Sequence, residues 1–164
     1  SSELPEALGS LDELNAFIGL VKVRATTPTG LVWWRTTDSE RIESILRVVQ
    51  EKLFIIQAEM AGADKHIVEK DIKNIEEAVN AIEKEIAPVK GFCIAGGTEL
   101  STLLDVARAL ARRAERRATA VGEMGLRELT PETRAYLNRL SSLLFALARL
   151  ANHLAGIKEE NPKY

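Results

Sequence analysis

The sequence predicts an all-α protein, a single five-helix bundle that spans residues 1–164. Helix-forming residues dominate, aromatic residues make up only 5%, and apolar residues recur at helical spacing in five segments. No stretch alternates between apolar and polar residues as a strand would, so we predict no β-sheet. A length of 164 residues suits one domain with its own core, and no repeat or linker divides it. We expect the helices in up-down order.

The first two predicted helices flank a break that contains proline and glycine. The first runs from about Pro5 to Arg24, and the break covers residues 26–37. The second starts near Asp38 or Ser39, either of which can cap a helix, and ends near Gly62.

The last three helices carry clearer end signals. The third covers about Lys70 to Ile86. A compact glycine-containing loop follows at residues 91–97, and Thr98 then caps the fourth helix. Thr130 caps the fifth helix, with Pro131 at its first position.

Charge, cysteine and histidine content narrow the possible functions. The net charge is −2, so no global basic field draws the chain to nucleic acid or an anionic membrane, and we expect neither as a partner. No apolar run approaches the ~20 residues of a membrane span. A lone cysteine, Cys93, cannot form an internal disulfide, which fits the reducing cytoplasm. We favour a small buried or half-buried side chain over a reactive thiol at this position. His66 and His153 lack a further ligand at metal spacing, so we predict no metal-binding residues.

Trp33 and Trp34 lie in or beside the break after the first helix. Two readings are open for them. They anchor a loop onto the bundle, which is the favoured role, or they form a platform for a ligand.

The fourth helix carries the best candidate for chemistry. Its polar residues after Ala107 include Arg108, Arg112, Arg113, Glu115, Arg116 and Arg117. At about 100° per residue, Arg108, Arg112 and Glu115 fall at one edge of the apolar stripe, whereas Arg113 points outward. Arginines at a core border are partly desolvated and can hold a phosphate or carboxylate in a rigid fork. We therefore predict an anion site at Arg108 and Arg112, and a solvated face for Arg117.

Two weaker features accompany this cluster. The step from Gly96 through Gly97 to Thr98 could bring backbone N–H groups up to an anion. Asn138 on the fifth helix is either a hydrogen-bonding group for a ligand or an ordinary residue of the first helical turns, and periodicity leaves both open.

Four motifs resemble those of the PduO-type ATP:cob(I)alamin adenosyltransferases, in the same order and spacing. Residues 7–15 (ALGSLDELN) resemble the family's ALGxxDELN signature, and residues 92–97 resemble its FxxPGG loop. Residues 108–117 match its RxxxRRAERR helix, and residues 136–149 match its YLNRLSxxLFxLAR stretch. The resemblance covers most of the chain.

This resemblance implies a five-helix bundle that assembles as a homotrimer with active sites between subunits. It implies an enzyme that transfers the 5′-deoxyadenosyl group of ATP, bound with Mg²⁺, to the cobalt of cob(I)alamin and releases triphosphate. Cob(I)alamin is itself a potent nucleophile. The protein therefore needs only to align C5′ with cobalt and to stabilise charge on the triphosphate.

The resemblance also implies roles for individual residues. Arg112 would grip the polyphosphate, and Arg108 would pair with Asp12 of a neighbouring subunit. Phe92 would face the corrin and help to displace its lower axial ligand. Further contacts to the nucleotide would come from Arg113, Glu115, Arg116 and Asn138. An outward face on one subunit can line the site of the next, which reconciles Arg113 with the helical wheel.

The chain departs from the family pattern at three places. Ala95 replaces the proline of FxxPGG, and Ser142 replaces an aspartate that commonly follows RLS. The family's glycine-rich segment, which wraps the ATP phosphates, has no match here, and residue 1 is not Met. We expect either that this part of the site lies upstream of the sequence or that the chain binds ATP weakly.

Two alternative functions are open at this point. One is a non-catalytic helical oligomer that binds cobalamin or a nucleotide. The other is a helical interaction module whose arginines bind acidic partners, which leaves the loop motif and Asn138 unexplained.

Overall fold

The computed structural model describes residues 2–26, 36–88 and 91–164, with only the backbone described at 36–37. These ranges form five α-helices and no strand, which confirms the all-α prediction. The helices are α1 (Glu3–Thr26), α2 (Thr36–Met60), α3 (Glu69–Glu85), α4 (Glu99–Glu123) and α5 (Pro131–Leu154). None of the described helices is long and apolar enough to cross a membrane. Trp33 and Trp34 lie outside the described residues.

The helix ends follow local chemistry. The Thr98 hydroxyl accepts a backbone N–H of α4 at 3.0 Å, and Thr130 caps α5 with Pro131 at its start, as predicted. The predicted start of α2 was too late, because the helix already begins at Thr36 and Asp38 lies in its first turn. A carboxylate is also favourable there, since it faces the positive end of the helix dipole.

Contacts between helices show that the chain reverses direction at each connection. Asn138 and Asn152 of α5 bond to Glu115 and Gly96, which makes α5 antiparallel to α4, whereas Arg139 and Arg149 bond to Glu76 and Ala87, which makes α5 parallel to α3. Arg24 near the end of α1 pairs with Glu99 at the start of α4, whereas Glu6 near the start of α1 lies 3.9 Å from Arg117 of α4. These two helices are therefore antiparallel, and two further ion pairs arrange α2 and α3 in the same way. The up-down prediction is confirmed. As a consequence, α3 and α5 run in the same direction where they pack together.

The last helix, α5, is buried on all sides over much of its length. It contacts both α3 and α4, while α4 packs on α1 and α1 packs on α2. Buried residues lie on all sides of α5 between Tyr136 and Asn152, a pattern typical of an interior helix. Buried apolar side chains from all five helices form one core. The edge between α4 and α5 is where this core opens to a cleft.

Candidate active site

A cleft of about 550 Å³ opens between α4, α5 and the loop at residues 91–97. Its α4 wall has side chains three or four residues apart, which places them on one face of the helix. These α4 residues are Ser101, Asp105, Arg108 and Arg112. The α5 wall includes Ser141, Phe145, Arg149 and Asn152. The cleft therefore combines cationic, hydroxyl and apolar groups.

Arg108 and Arg112 both line this cleft, but only Arg108 is partly buried as predicted. Arg108 is half-buried, and its Nε donates a hydrogen bond to Asp105 Oδ1 at 2.6 Å. Sequence reasoning missed Asp105 as a partner. Arg112 is exposed, so the prediction that it is partly desolvated at the core border is wrong. Arg112 thus meets the cleft from its open side.

The other arginines of α4 lie away from the cleft. Arg113 is exposed, as predicted, yet its guanidinium pairs with Glu13 on α1. Arg117 is half-buried beside Glu6, and Arg116 is exposed. An acidic edge of α1 therefore meets a basic edge of α4, which a helical wheel of α4 alone cannot reveal. Arg113 and Arg116 do not join Arg112 in the lining of the cleft.

Glu115 and Asn138 meet across the α4–α5 contact. Asn138 Nδ2 donates to Glu115 Oε2 at 3.0 Å, and Asn138 Oδ1 accepts from Arg139 at 2.9 Å. The pair lies about one helical turn beyond Arg112 along α4 and outside the lining of the cleft. It extends the polar surface of the cleft toward the far end of the helices. Asp12 is exposed on α1 and is not part of the cleft.

The loop at residues 91–97 presents Phe92 to the cleft, where 77% of this side chain is exposed. Gly96 and Gly97 have φ angles of 115° and 119°, which L side chains rarely adopt. A Cβ at Gly97 would lie 2.6 Å from Asn152 Oδ1. The loop can therefore enter α4 at this angle only because glycine occupies that position.

Buried polar side chains concentrate at the cleft. Among the described residues, four of the eight buried polar or charged residues line it. They are Ser101, Ser141, Arg149 and Asn152. A buried polar group is costly unless it has a partner, and convergent polar groups in a concavity are typical of a ligand site. The sequence signal for Arg149 and Asn152, which we missed, is their position inside an otherwise apolar segment of α5.

Cys93 is half-buried at the edge of the cleft, with its Sγ 3.5 Å from Glu159 Oε2. Burial, and then the charge of the Glu159 carboxylate, raise the pKa of the thiol. A raised pKa makes this thiol a poor nucleophile at neutral pH. In the described part of the chain, no three His, Cys, Asp or Glu side chains are grouped so that they could hold a metal ion.

The chain is similar to known proteins both in sequence and in structure. The sequence model of a family described as cobalamin adenosyltransferase matches residues 1–151. A corrinoid adenosyltransferase of Bacillus subtilis is 33% identical over 156 residues, which cover 93% of this chain and 76% of that protein. Corrinoid adenosyltransferase PduO of Salmonella typhimurium is 32% identical over 169 residues, which cover 96% of this chain and 46% of that protein.

Solved structures of a PduO-type enzyme from Lactobacillus reuteri are also similar. A phenylalanine-to-alanine variant of that ATP:corrinoid adenosyltransferase, complexed with cobalamin and ATP, gives a TM-score of 0.84 at 27% identity, over 99% of this chain and 87% of that chain. An arginine-to-lysine variant complexed with ATP gives a TM-score of 0.83 at 27% identity, over 98% and 87% of the two chains.

Proposed function

This chain belongs to the cobalamin adenosyltransferase family and adenosylates a corrinoid with ATP, and we propose that the cleft between α4, α5 and the 91–97 loop is its active site. The proposed reaction transfers the 5′-deoxyadenosyl group of ATP to the cobalt of cob(I)alamin and releases triphosphate. One observation carries this proposal: the cleft joins an exposed aromatic side chain, Phe92, to two arginines on the adjacent helix, Arg108 and Arg112.

The proposed step needs positioning and charge stabilisation. The cobalt of cob(I)alamin supplies the electron pair of the new Co–C5′ bond. The C5′–O bond breaks, and its electron pair leaves on the triphosphate. An arginine fork binds phosphate oxygens in two parallel hydrogen bonds, and donors directed at developing charge supply much of the catalysis in such steps. We assign this triphosphate contact to Arg112.

The proposed nucleotide contacts extend beyond one subunit. We propose a homotrimer in which Asp12 pairs with Arg108 of the next subunit and completes the site. The cleft volume of about 550 Å³ suits one small ligand, since such sites measure about 300–1,000 Å³. A corrinoid and ATP together need a larger binding surface than this cleft provides. The remaining nucleotide contacts are assigned to Arg113, Glu115, Arg116 and Asn138.

Phe92 is proposed to face the corrin and to help displace its lower axial ligand. Its large exposed fraction within the cleft supports this role. The Lactobacillus reuteri variants replace a phenylalanine and an arginine that lie 20 residues apart, which is also the separation of Phe92 and Arg112 here. ATP enters as its magnesium complex. We place this single helical domain in the cytoplasm, where its lone cysteine stays reduced.

An anaerobic assay with MgATP and chemically reduced cobalamin tests the proposal on the full-length protein. We expect adenosylcobalamin to form, with turnover in Arg112→Ala lowered by about 30- to 1,000-fold, on the order of 2–4 kcal/mol of transition-state stabilisation. The signal is the absorbance change as cob(I)alamin becomes adenosylcobalamin.

Arg47→Ala is the matched control, since Arg47 is an exposed arginine of α2 whose partner is Glu51 in the same helix. It should keep wild-type turnover. Near-normal turnover in Arg112→Ala would show that the triphosphate contact is wrongly assigned. A wild-type protein that forms no adenosylcobalamin would refute the proposed reaction.

A further inference from the structure

Arg149 is a buried charge within an apolar helix. Only 6% of it is exposed, and its neighbours in residues 143–151 are all apolar. A guanidinium in such surroundings is tolerated only when its donors are satisfied. Its partners therefore reveal what the fold gains by burying it.

The Arg149 guanidinium joins three separate segments of the chain. Nε donates to Glu159 Oε1 at 2.7 Å and Nη2 donates to Glu159 Oε2 at 3.1 Å, a forked pair with the segment after α5. Nη2 also donates to the backbone oxygen of Ala87, just after α3, at 2.6 Å. We call residues 157–164 the C-terminal tail. The arginine thus ties this tail to α5 and to the end of α3.

The C-terminal tail in turn holds the loop that carries Phe92. The backbone N–H of Ile94 donates to the oxygen of Glu160 at 2.8 Å, and the Cys93 thiol contacts Glu159 at 3.5 Å. At the other end of the loop, Asn152 Nδ2 donates to Gly96 O at 3.2 Å. The two residues that follow Phe92 are therefore fixed by the tail.

The geometry points to Arg149 and Glu159 as positioning residues that hold Phe92 against the corrinoid in the cleft. This inference rests on the proposed function, because it gives the pair a part in corrinoid binding. The forked ion pair fixes the tail, the tail fixes residues 93–94, and Phe92 is thereby presented to the cleft. Neither residue needs to touch the reacting atoms.

A second cavity lies on the other side of the Arg149–Glu159 ion pair, and the loop at residues 91–97 could move into it. Cys93, Arg149 and Glu159 line both the cleft and a cavity of about 360 Å³ on their other side, beneath the C-terminal tail. The ion pair is therefore a partition between two spaces. Without it, residues 91–94 could withdraw from the cleft into the second cavity, and Phe92 would leave the corrinoid.

The first test is the reaction rate of Cys93, the only cysteine of the chain, with a thiol reagent. Arg149 lowers the pKa of this thiol, opposite to the effect of Glu159. If Arg149→Met left the loop in place, the thiol would react more slowly. If the loop is released, the thiol becomes accessible, and we expect a reaction at least about fivefold faster. This readout does not depend on catalysis.

The second test is steady-state kinetics with Glu159→Gln, a change outside the helices that leaves the bundle core untouched. We expect the KM for cob(I)alamin to rise by about threefold or more while the KM for ATP stays within about twofold, because only the corrinoid wall is loosened. Arg149→Lys should raise the KM for cob(I)alamin less than Arg149→Met does, since it keeps the charge without the fork. Arg41→Met is the control for Arg149→Met, because Arg41 forms a more exposed ion pair with Glu85 between α2 and α3, and neither residue lines the cleft.

The outcomes separate the two proposals. Slower thiol reaction in Arg149→Met, or equal changes in both KM values in Glu159→Gln, would overturn the positioning role. Faster thiol reaction in a protein whose wild type forms no adenosylcobalamin would overturn the proposed function and still support the ion pair as the device that holds the loop.

Discussion

Tyr136 lies in the core of the bundle, where only 2% of it is exposed. Burial, and then the nearby Asp71 carboxylate, raise the pKa of its hydroxyl above the usual value of 10.0. The folded state therefore keeps this proton at a pH at which the unfolded chain releases it. The contribution to stability is complete below pH 10 and is lost as the pH rises further.

Replacement of Tyr136 by phenylalanine should remove this pH dependence. Between pH 8 and pH 11, the free energy of unfolding of the wild type should fall by about 1.4 kcal/mol relative to that of Tyr136→Phe. This value follows because pH 11 lies about one unit above the pKa of tyrosine in the unfolded chain. Urea unfolding at both pH values measures the difference, and all other titrating groups are common to the two proteins. An unchanged difference would mean that Tyr136 ionises in the folded state.

Residues in and around the cleft differ in how well the sequence predicts their contacts. Arg108 and Arg112 share one wall because their four-residue spacing fixes a common face of α4. The pairing of Arg113 with Glu13 could not be predicted, because it depends on how α1 packs against α4. Arg149 depends on Glu159, which lies beyond the end of α5, so helical periodicity carries no information about their contact.

At the scale of helices, Glu59 connects the end of α2 to the start of α5. It is 3% exposed, and its Oε1 accepts the backbone N–H of Thr130 at 2.8 Å. Its Oε2 accepts the hydroxyl of Thr133. One buried carboxylate thus satisfies donors in the cap and first turn of α5, and Arg127 adds a hydrogen bond to Met60 O at 3.0 Å.

Thr133→Val tests this connection with little change of shape. The variant leaves the buried carboxylate without one of its donors, so the free energy of unfolding should fall by about 1–3 kcal/mol. Chemical denaturation gives the value. Thr102→Val, an exposed threonine of α4 whose hydroxyl bonds to its own helix, should change stability by less than about 0.5 kcal/mol. Equal effects in the two variants would deny Glu59 this role.

Helix ends were predictable where the cap is unambiguous. Thr98 directly follows two glycines, and Thr130 directly precedes a proline, so each marks a clear helix start. Pro131 itself is tolerated only in the first turn of a helix. The start of α2 was harder to predict. Asp38 and Ser39 are good caps, but the first turn also tolerates them, since its N–H groups have no partner in the helix.

At the scale of the whole molecule, the proposed trimer predicts that two defective subunits repair each other. Asp12→Ala and Arg112→Ala each damage a different side of the same proposed interface. Coexpressed in equal amounts, they should form trimers of which about three quarters are mixed, and each mixed trimer has one intact interface in three, so about one interface in four is intact overall. We expect about a quarter of wild-type activity from the mixture, with each variant alone far lower.

Sedimentation supplies the matching physical measurement. The wild type should sediment as a trimer of an 18.1 kDa chain. Mixed subunits that regain no activity would contradict a site shared between subunits, and a monomer at assay concentration would contradict the assembly. Only the family resemblance predicts this trimer. The helical periodicity of one chain does not reveal which exposed faces contact a second copy.

The buried position of α5 has a consequence for biosynthesis. This helix is the last of the five described helices to leave the ribosome, and both α3 and α4 pack on it. Until it emerges, the apolar side chains of α3 and α4 that face α5 stay uncovered, although α4 can already pack on α1, and the nascent chain cannot complete its core. Synthesis interrupted before residue 131 would therefore release a sticky, incompletely packed polypeptide, a substrate for chaperones and proteases rather than a smaller working bundle.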